Sequence, residues 1–230
     1  MTPAELVTRV RDGHRLLTAL VADLTDDDVR APSALPGWSR GHVITHLADL
    51  ADAFARQADH ARRGLLVDVY DGGRPGRDAA IERGAGRAAH ELREATGAAC
   101  AALEAAWEET GEEGWSLPVR YRDATLLDTA YARWREVGIH LTDLDLGYRP
   151  SDWSVEFCDH VAGFLISRAP TGTHLTLVAD DADLRWTSGT GATVAVRGRT
   201  DDLAAWLAGR APDHPVRSDS GDLPELGPWP

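Results

Sequence analysis

Apolar side chains return every three or four positions through four long stretches of the first 146 residues, a period that commits a chain to packing helix against helix. The first stretch, from Pro3 to Leu24, carries Leu6, Val10, Leu17, Leu20, Val21 and Leu24. The second, from Arg40 to Arg63, sets Val43, Leu47, Leu50 and Phe54 on one side, and Ser39 is placed to cap its start. A third, Ala-rich helix is expected from Ala79 to Glu109, weakened locally by Gly84, Gly86 and Gly97. The fourth runs from Leu126 to Leu146 through Trp134, Val137, Leu141 and Leu144. "GYRP" ends it, with Gly147 as a cap and Pro150 unable to continue. "TDDDVRAPSALPGWS", "VYDGGRPGRD" and "GEEGWSLPVRYRDAT" read as connections, the last with some extended character.

Past Pro150 the period changes. "SVEFCDHVAGFLISRA" reads as a helix, and "THLTLVAD", "DLRWTSG" and "ATVAVRGR" alternate as strands do. "TDDLAAWLAGR" is a helix capped by Thr200, and "DSGDLPELGPWP" an irregular tail. The expected fold is therefore mainly α: a four-helix bundle over residues 1–149 and a smaller α+β domain over residues 150–230.

Composition narrows the function classes. A net charge of −13 with no basic block argues against a nucleic-acid partner. No apolar run approaches the roughly 18 residues that span a bilayer, and "MTPAELVTRVRDGHRLL" is amphipathic rather than signal-like, so no membrane partner and a cytoplasmic address are expected. Cys100 and Cys158 are too few for a disulfide framework and read as small core hydrophobes, so any thiol chemistry calls for a thiol from elsewhere. All 24 basic residues are Arg, a bias of high-GC genomes that also leaves no lysine for a Schiff base.

"ARWREVGIHLTDLDLG", residues 132–147, places Glu136 and His140 beside an apolar stripe, four apart and hence one above the other. "GHVITHLADL" places His46 on the core stripe of the second helix and His42 nearer its edge. Bundle interiors build cofactor and metal sites from facing helices, and two imidazoles with one carboxylate suit zinc, leaving a fourth position for water or a substrate thiol. His46, Glu136 and His140 make such a set; Asp49, Asp143 and Asp145 compete as ligands or are exposed helix carboxylates. A solvated Glu–His pair and a chance His pair account for the same spacing.

"LPGWSRGHVITHLA", "REVGIHLTDLDLG" and the closing "SGDLPELGPWP" together resemble the mycothiol-dependent maleylpyruvate isomerases of the DinB-like superfamily, over nearly the whole chain. The resemblance implies a DinB-like metal-binding bundle whose divalent metal, usually zinc, is held by His46, Glu136 and His140, with His42 not a ligand. It also implies mycothiol as thiol cosubstrate and an arginine of the second domain near the cleft, which "AAWLAGRAPD" matches with Arg210; a helix-terminal Arg facing the dipole is the alternative for that residue. The activity implied is cis-trans isomerisation, in which a metal-bound thiolate adds to the substrate double bond and leaves it. A mycothiol S-transferase and a non-catalytic metal-binding regulatory protein are the competing readings. The partners expected are a small-molecule substrate and a low-molecular-weight thiol, for a monomer or small homo-oligomer. Gly138 stands where some relatives carry a bulky aromatic, which would widen the cleft beside the metal.

Overall fold

Polar caps start the long helices. In the computed structural model, which describes residues 1–230, α1 (Pro3–Val21) begins behind Thr2, whose hydroxyl accepts the Glu5 N–H while the Glu5 carboxylate accepts the Thr2 N–H at 2.7 Å. Such a reciprocal cap stabilises a helix start by about 1 kcal/mol. The same device at Thr25 and Asp28 turns part of an expected connection into a short helix, α2 (Asp26–Arg30). α3 (Arg40–Arg62) starts behind Ser39.

The single third helix expected from Ala79 to Glu109 is two. α4 (Gly73–Ala85) starts inside the glycine-rich segment expected as a loop, and α5 (Ala89–Glu108) follows a break at Gly86 to Ala88. Ala88 is extended (φ −63°, ψ 152°) and its N–H is held by the Glu91 carboxylate at 2.9 Å, a new helix start that competes with continuation. α6 (Gly111–Gly114) is one turn, and α7 (Leu126–Asp143) stops short of Leu146, because Asp145 (φ 53°) and Gly147 (φ 92°) leave helical space.

The residues fall into two units, Met1–Leu146 and Gly147–Pro230. In the first, α3 packs on α5 and α7, and α1 on α7, with Leu6, Leu17, Leu47, Phe54, Leu103 and Leu141 buried between them. Each such side chain contributes roughly 1.5–3 kcal/mol by leaving water. α4 lies so close on the start of α3 that a Cβ at Gly41 would stand 2.4 Å from the Ala85 carbonyl oxygen, and one at Gly84 2.5 Å from Thr45 Cγ2. Glycine at both crossings is what lets α4 approach.

One guanidinium lies fully buried in this core. Arg133 is 0% exposed and donates from Nη1 to the Leu47 carbonyl (2.6 Å), from Nη2 to Cys100 Sγ (3.5 Å) and from Nε to His14 Nε2 (2.9 Å). A guanidinium only donates, so His14 Nε2 accepts and its Nδ1 carries the proton toward Glu104 Oε1 at 2.7 Å.

In the second unit Ser154 caps α8 (Val155–Leu165), which packs on α9 (Thr200–Leu207). β1 (Thr173–Ala179), β2 (Arg185–Ser188), β3 (Ala192–Gly198) and β4 (Arg217–Ser218) form one sheet in the order β2-β1-β3-β4, with β1 and β3 parallel and the outer pairs antiparallel. Thr200 is not the cap of α9. Arg199 holds that position, and Thr200 is the first helical residue, donating its N–H and O–H to Asp181 Oδ1 at 2.8 and 2.7 Å. Beyond Gly221 the tail carries no helix or strand, but Gly227 exchanges two 2.8 Å hydrogen bonds with Arg168. No helix is long and apolar enough to cross a membrane.

Candidate metal centre

α3 and α7 are locked together on both sides of the point where their polar residues meet. Arg40 donates from Nε to the Leu144 carbonyl at 2.7 Å and from Nη2 to the Asp145 carbonyl at 3.2 Å, which satisfies the open end of α7. The Ala34 N–H donates to the Asp143 carbonyl at 2.9 Å, and Arg133 reaches Leu47, the neighbour of His46, from the other side.

Within that frame His46, Glu136 and His140 converge. Glu136 Oε2 lies 2.9 Å from His46 Nε2 and 3.3 Å from His140 Nε2, and the two imidazoles meet edge to face with centroids 4.8 Å apart. His46 is buried, His140 nearly so, and Glu136 keeps 26% of its side-chain surface open, so the carboxylate faces the accessible side. Burial pushes the His46 imidazole down to about 4, leaving it neutral. Burial would raise the Glu136 carboxyl, but the hydrogen bonds from His140 and His46 outweigh it and hold the group well below the ordinary carboxylate range. At His140 burial works against the charged ring and is overcome by Asp143 and Glu136, so its value rises.

The donor set fits a divalent metal. The three ligand atoms lie within 4.8 Å of one another. The 3.3 Å separation matches the edge, about 3.3–3.6 Å, of a tetrahedron with arms of about 2.0–2.2 Å, and the 2.9 Å separation is somewhat shorter. Behind His140, Asp143 Oδ2 stands 2.7 Å from Nδ1 and is 1% exposed, the carboxylate partner that orients a ligating imidazole. Asp143→Asn is expected to weaken divalent-metal affinity by roughly 10–100-fold in a chelator competition; unchanged affinity would remove Asp143 from the site.

His42 is engaged elsewhere. Its Nδ1 accepts the Ser39 N–H at 3.1 Å as part of the α3 cap, and its Nε2 faces Glu82 at 3.4 Å. Asp49 is half-buried outside the ligand cluster and Asp145 is exposed at the end of α7. Gly138 lies within α7, two residues from each of Glu136 and His140, so on a continuous helix a side chain there would leave α7 about 160° from either. Arg210 belongs to the second unit, where it follows α9, donates from Nη1 to the Ala208 carbonyl at 2.6 Å and lies 5.9 Å from the Trp229 ring centre.

Three neighbours of the trio escape a reading of the sequence. The Trp38 ring stacks on His42 (6.0 Å) and meets His46 edge-on (5.9 Å). Arg77 of α4 places Nη2 3.3 Å from His46 Nδ1, and Tyr70, whose phenol burial pushes up to about 12, interacts with Arg77 and Glu136. Arg77 and Tyr70 come from the glycine-rich segment that gave no helical period.

Known proteins bear on this geometry. The family model of the mycothiol maleylpyruvate isomerase N-terminal domain matches residues 10–145, and that of the MDMPI C-terminal domain matches residues 152–228. The crystal structure of the mycothiol-dependent maleylpyruvate isomerase superposes with a TM-score of 0.91 at 26% identity, covering 100% of this chain and 98% of that one. A histidine-to-alanine mutant of that enzyme superposes with a TM-score of 0.90 at the same identity and coverage. No curated protein sequence matches.

Proposed function

The chain belongs to the mycothiol maleylpyruvate isomerase family, and from that premise we propose that it is a metal-dependent isomerase using mycothiol to convert maleylpyruvate to its trans isomer, fumarylpyruvate. The observation that carries the reading is the meeting of His46, Glu136 and His140 at one point of the bundle. A divalent cation held there would stabilise a thiolate, whose free form is scarce at neutral pH because a thiol titrates near ~8.5.

The protein's own groups supply the rest. Glu136, held ionised, offers a carboxylate oxygen to a cation, and His46, held neutral, has only to move its single ring proton to Nδ1 to offer Nε2. Asp143 fixes the ring of His140. Such a thiolate would supply reversible addition to the cis double bond, which makes that bond single for the rotation and restores it when the thiolate leaves, so nothing would be oxidised and the thiol would be regenerated. The substrate is a dianion and the chain carries −13, so a guanidinium must offset repulsion locally. We assign one substrate carboxylate to Arg210, whose planar fork suits it.

The test is incubation of metal-loaded protein with maleylpyruvate, with and without mycothiol. Thiol-dependent appearance of fumarylpyruvate is expected. Conjugation of mycothiol to alkylating electrophiles without isomerisation would make the protein an S-transferase, and stoichiometric metal with no thiol-dependent turnover would make it a binding protein.

A further inference from the structure

The two histidines of the trio are backed by opposite chemistry. His140 Nδ1 faces a buried carboxylate, Asp143 Oδ2, at 2.7 Å, whereas His46 Nδ1 faces a guanidinium, Arg77 Nη2, at 3.3 Å. A guanidinium has only N–H donors, so the contact requires a lone pair on His46 Nδ1 and puts the single ring proton of the neutral imidazole on Nε2, where Glu136 Oε2 accepts it at 2.9 Å. A metal ligand needs the reverse. Coordination through Nε2 needs the lone pair on that nitrogen, so the ring proton moves to Nδ1 and is aimed at an N–H of Arg77. The cation also repels a guanidinium lying one imidazole ring away.

We propose that Arg77 is an anion anchor released by metal binding: it caps His46 Nδ1 only while the trio is metal-free, and loading the metal frees its guanidinium to receive a carboxylate beside the centre. The surroundings allow the movement. Arg77 is 25% exposed, its Nη1 pairs with the adjacent and half-exposed Asp78 at 2.8 Å, it interacts with the Tyr70 phenol, and it sits in the first half of α4, ahead of the close crossing at Gly84 and Ala85 that holds the helix on α3. The anchor thus becomes available only when the metal is in place, and a dianionic substrate would meet it there.

This inference rests on the metal reading of the trio but not on turnover, and binding measurements test it. Wild type, Arg77→Met and Arg77→Lys are titrated with Zn²⁺ against a chelating indicator, then with succinate by calorimetry in zinc-loaded and zinc-free forms. Arg77→Met is expected to bind Zn²⁺ about tenfold more tightly than wild type, because both the donor contact and the like charge are gone. Zinc-loaded wild type is expected to bind succinate at least tenfold more tightly than zinc-loaded Arg77→Met, with Arg77→Lys between them, while the three zinc-free proteins bind it equally weakly. The proposal is overturned by unchanged or weaker zinc affinity in Arg77→Met, by zinc-loaded Arg77→Met matching wild type for succinate, or by zinc-free wild type binding succinate as tightly as the loaded protein. Wild type that takes up no zinc overturns the metal reading as well, whereas stoichiometric zinc without an Arg77 effect overturns this inference alone.

Discussion

His46→Ala is expected to lose stoichiometric divalent metal and to reduce thiol-dependent turnover to background. Removing one of three protein ligands leaves an adjacent carboxylate and imidazole on a single helix turn, Glu136 and His140 at 3.3 Å, and nothing from α3. The affinity loss should exceed the roughly 10–100-fold expected of an outer partner such as Asp143. His140→Ala should behave alike and also take from the buried Asp143 carboxylate its 2.7 Å contact with Nδ1. The informative contrast is His42→Ala. His42 lies one helical turn before His46, yet its Nδ1 belongs to the Ser39 cap, so this variant should keep its metal and lose only about 1 kcal/mol of stability. Metal analysis of the purified variants separates them: metal retained in His46→Ala, or lost in His42→Ala, would refute the trio as the ligand set.

The bundle and the trio were legible because both follow from one periodicity. Val43, Leu47 and Phe54 mark the inward face of α3 and Trp134, Val137 and Leu141 that of α7, so a polar residue beside either stripe points at the same interior. The split of the third helix was not legible, since Ala-rich sequence on both sides of Gly86 carries the same helical propensity, and the break depends on Glu91 holding the Ala88 N–H. Arg77 was hidden for a related reason. "DGGRPGRD" has the composition of a loop, and only the tertiary contact of Gly41 and Gly84 between α3 and α4 brings it over His46. Tertiary contacts of this kind leave no periodic trace. Nor does helical spacing distinguish Arg133, one step before Trp134 on α7, from an ordinary flanking arginine; its burial depends on His14, Leu47 and Cys100 arriving from three other helices.

That burial makes Arg133 the position where a single change should cost the most stability. Its charge has no carboxylate at hydrogen-bonding distance: its partners are a neutral imidazole, a helix carbonyl and a thiol, and the attraction of Glu136 acts from further along α7. Arg133→Ala removes the largest fully buried side chain, leaves a cavity between α1, α3, α5 and α7, and strands His14 Nε2, for an expected loss of about 3–5 kcal/mol in urea unfolding at pH 7. Arg133→Met refills most of the space and should recover part of that loss, since replacing a buried ion with an apolar side chain of similar volume is far less costly. The pH dependence identifies the partner. Burial and then the Arg133 charge push His14 down to about 4, whereas an unfolded His titrates near ~6.5. Because the folded value is depressed, stability is full above ~6.5 and falls as pH drops toward 4, since the unfolded chain takes up a proton that folded His14 refuses, a loss of about 2 kcal/mol by pH 5. Without the Arg133 charge folded His14 accepts its proton more readily, beside Glu104 at 2.7 Å, so Arg133→Met should lose less than wild type over the same range. The stability gap between the two proteins is therefore expected to narrow from pH 7 to pH 5. A gap that stays constant would mean that Arg133 supports the core by packing alone and does not set the protonation of His14.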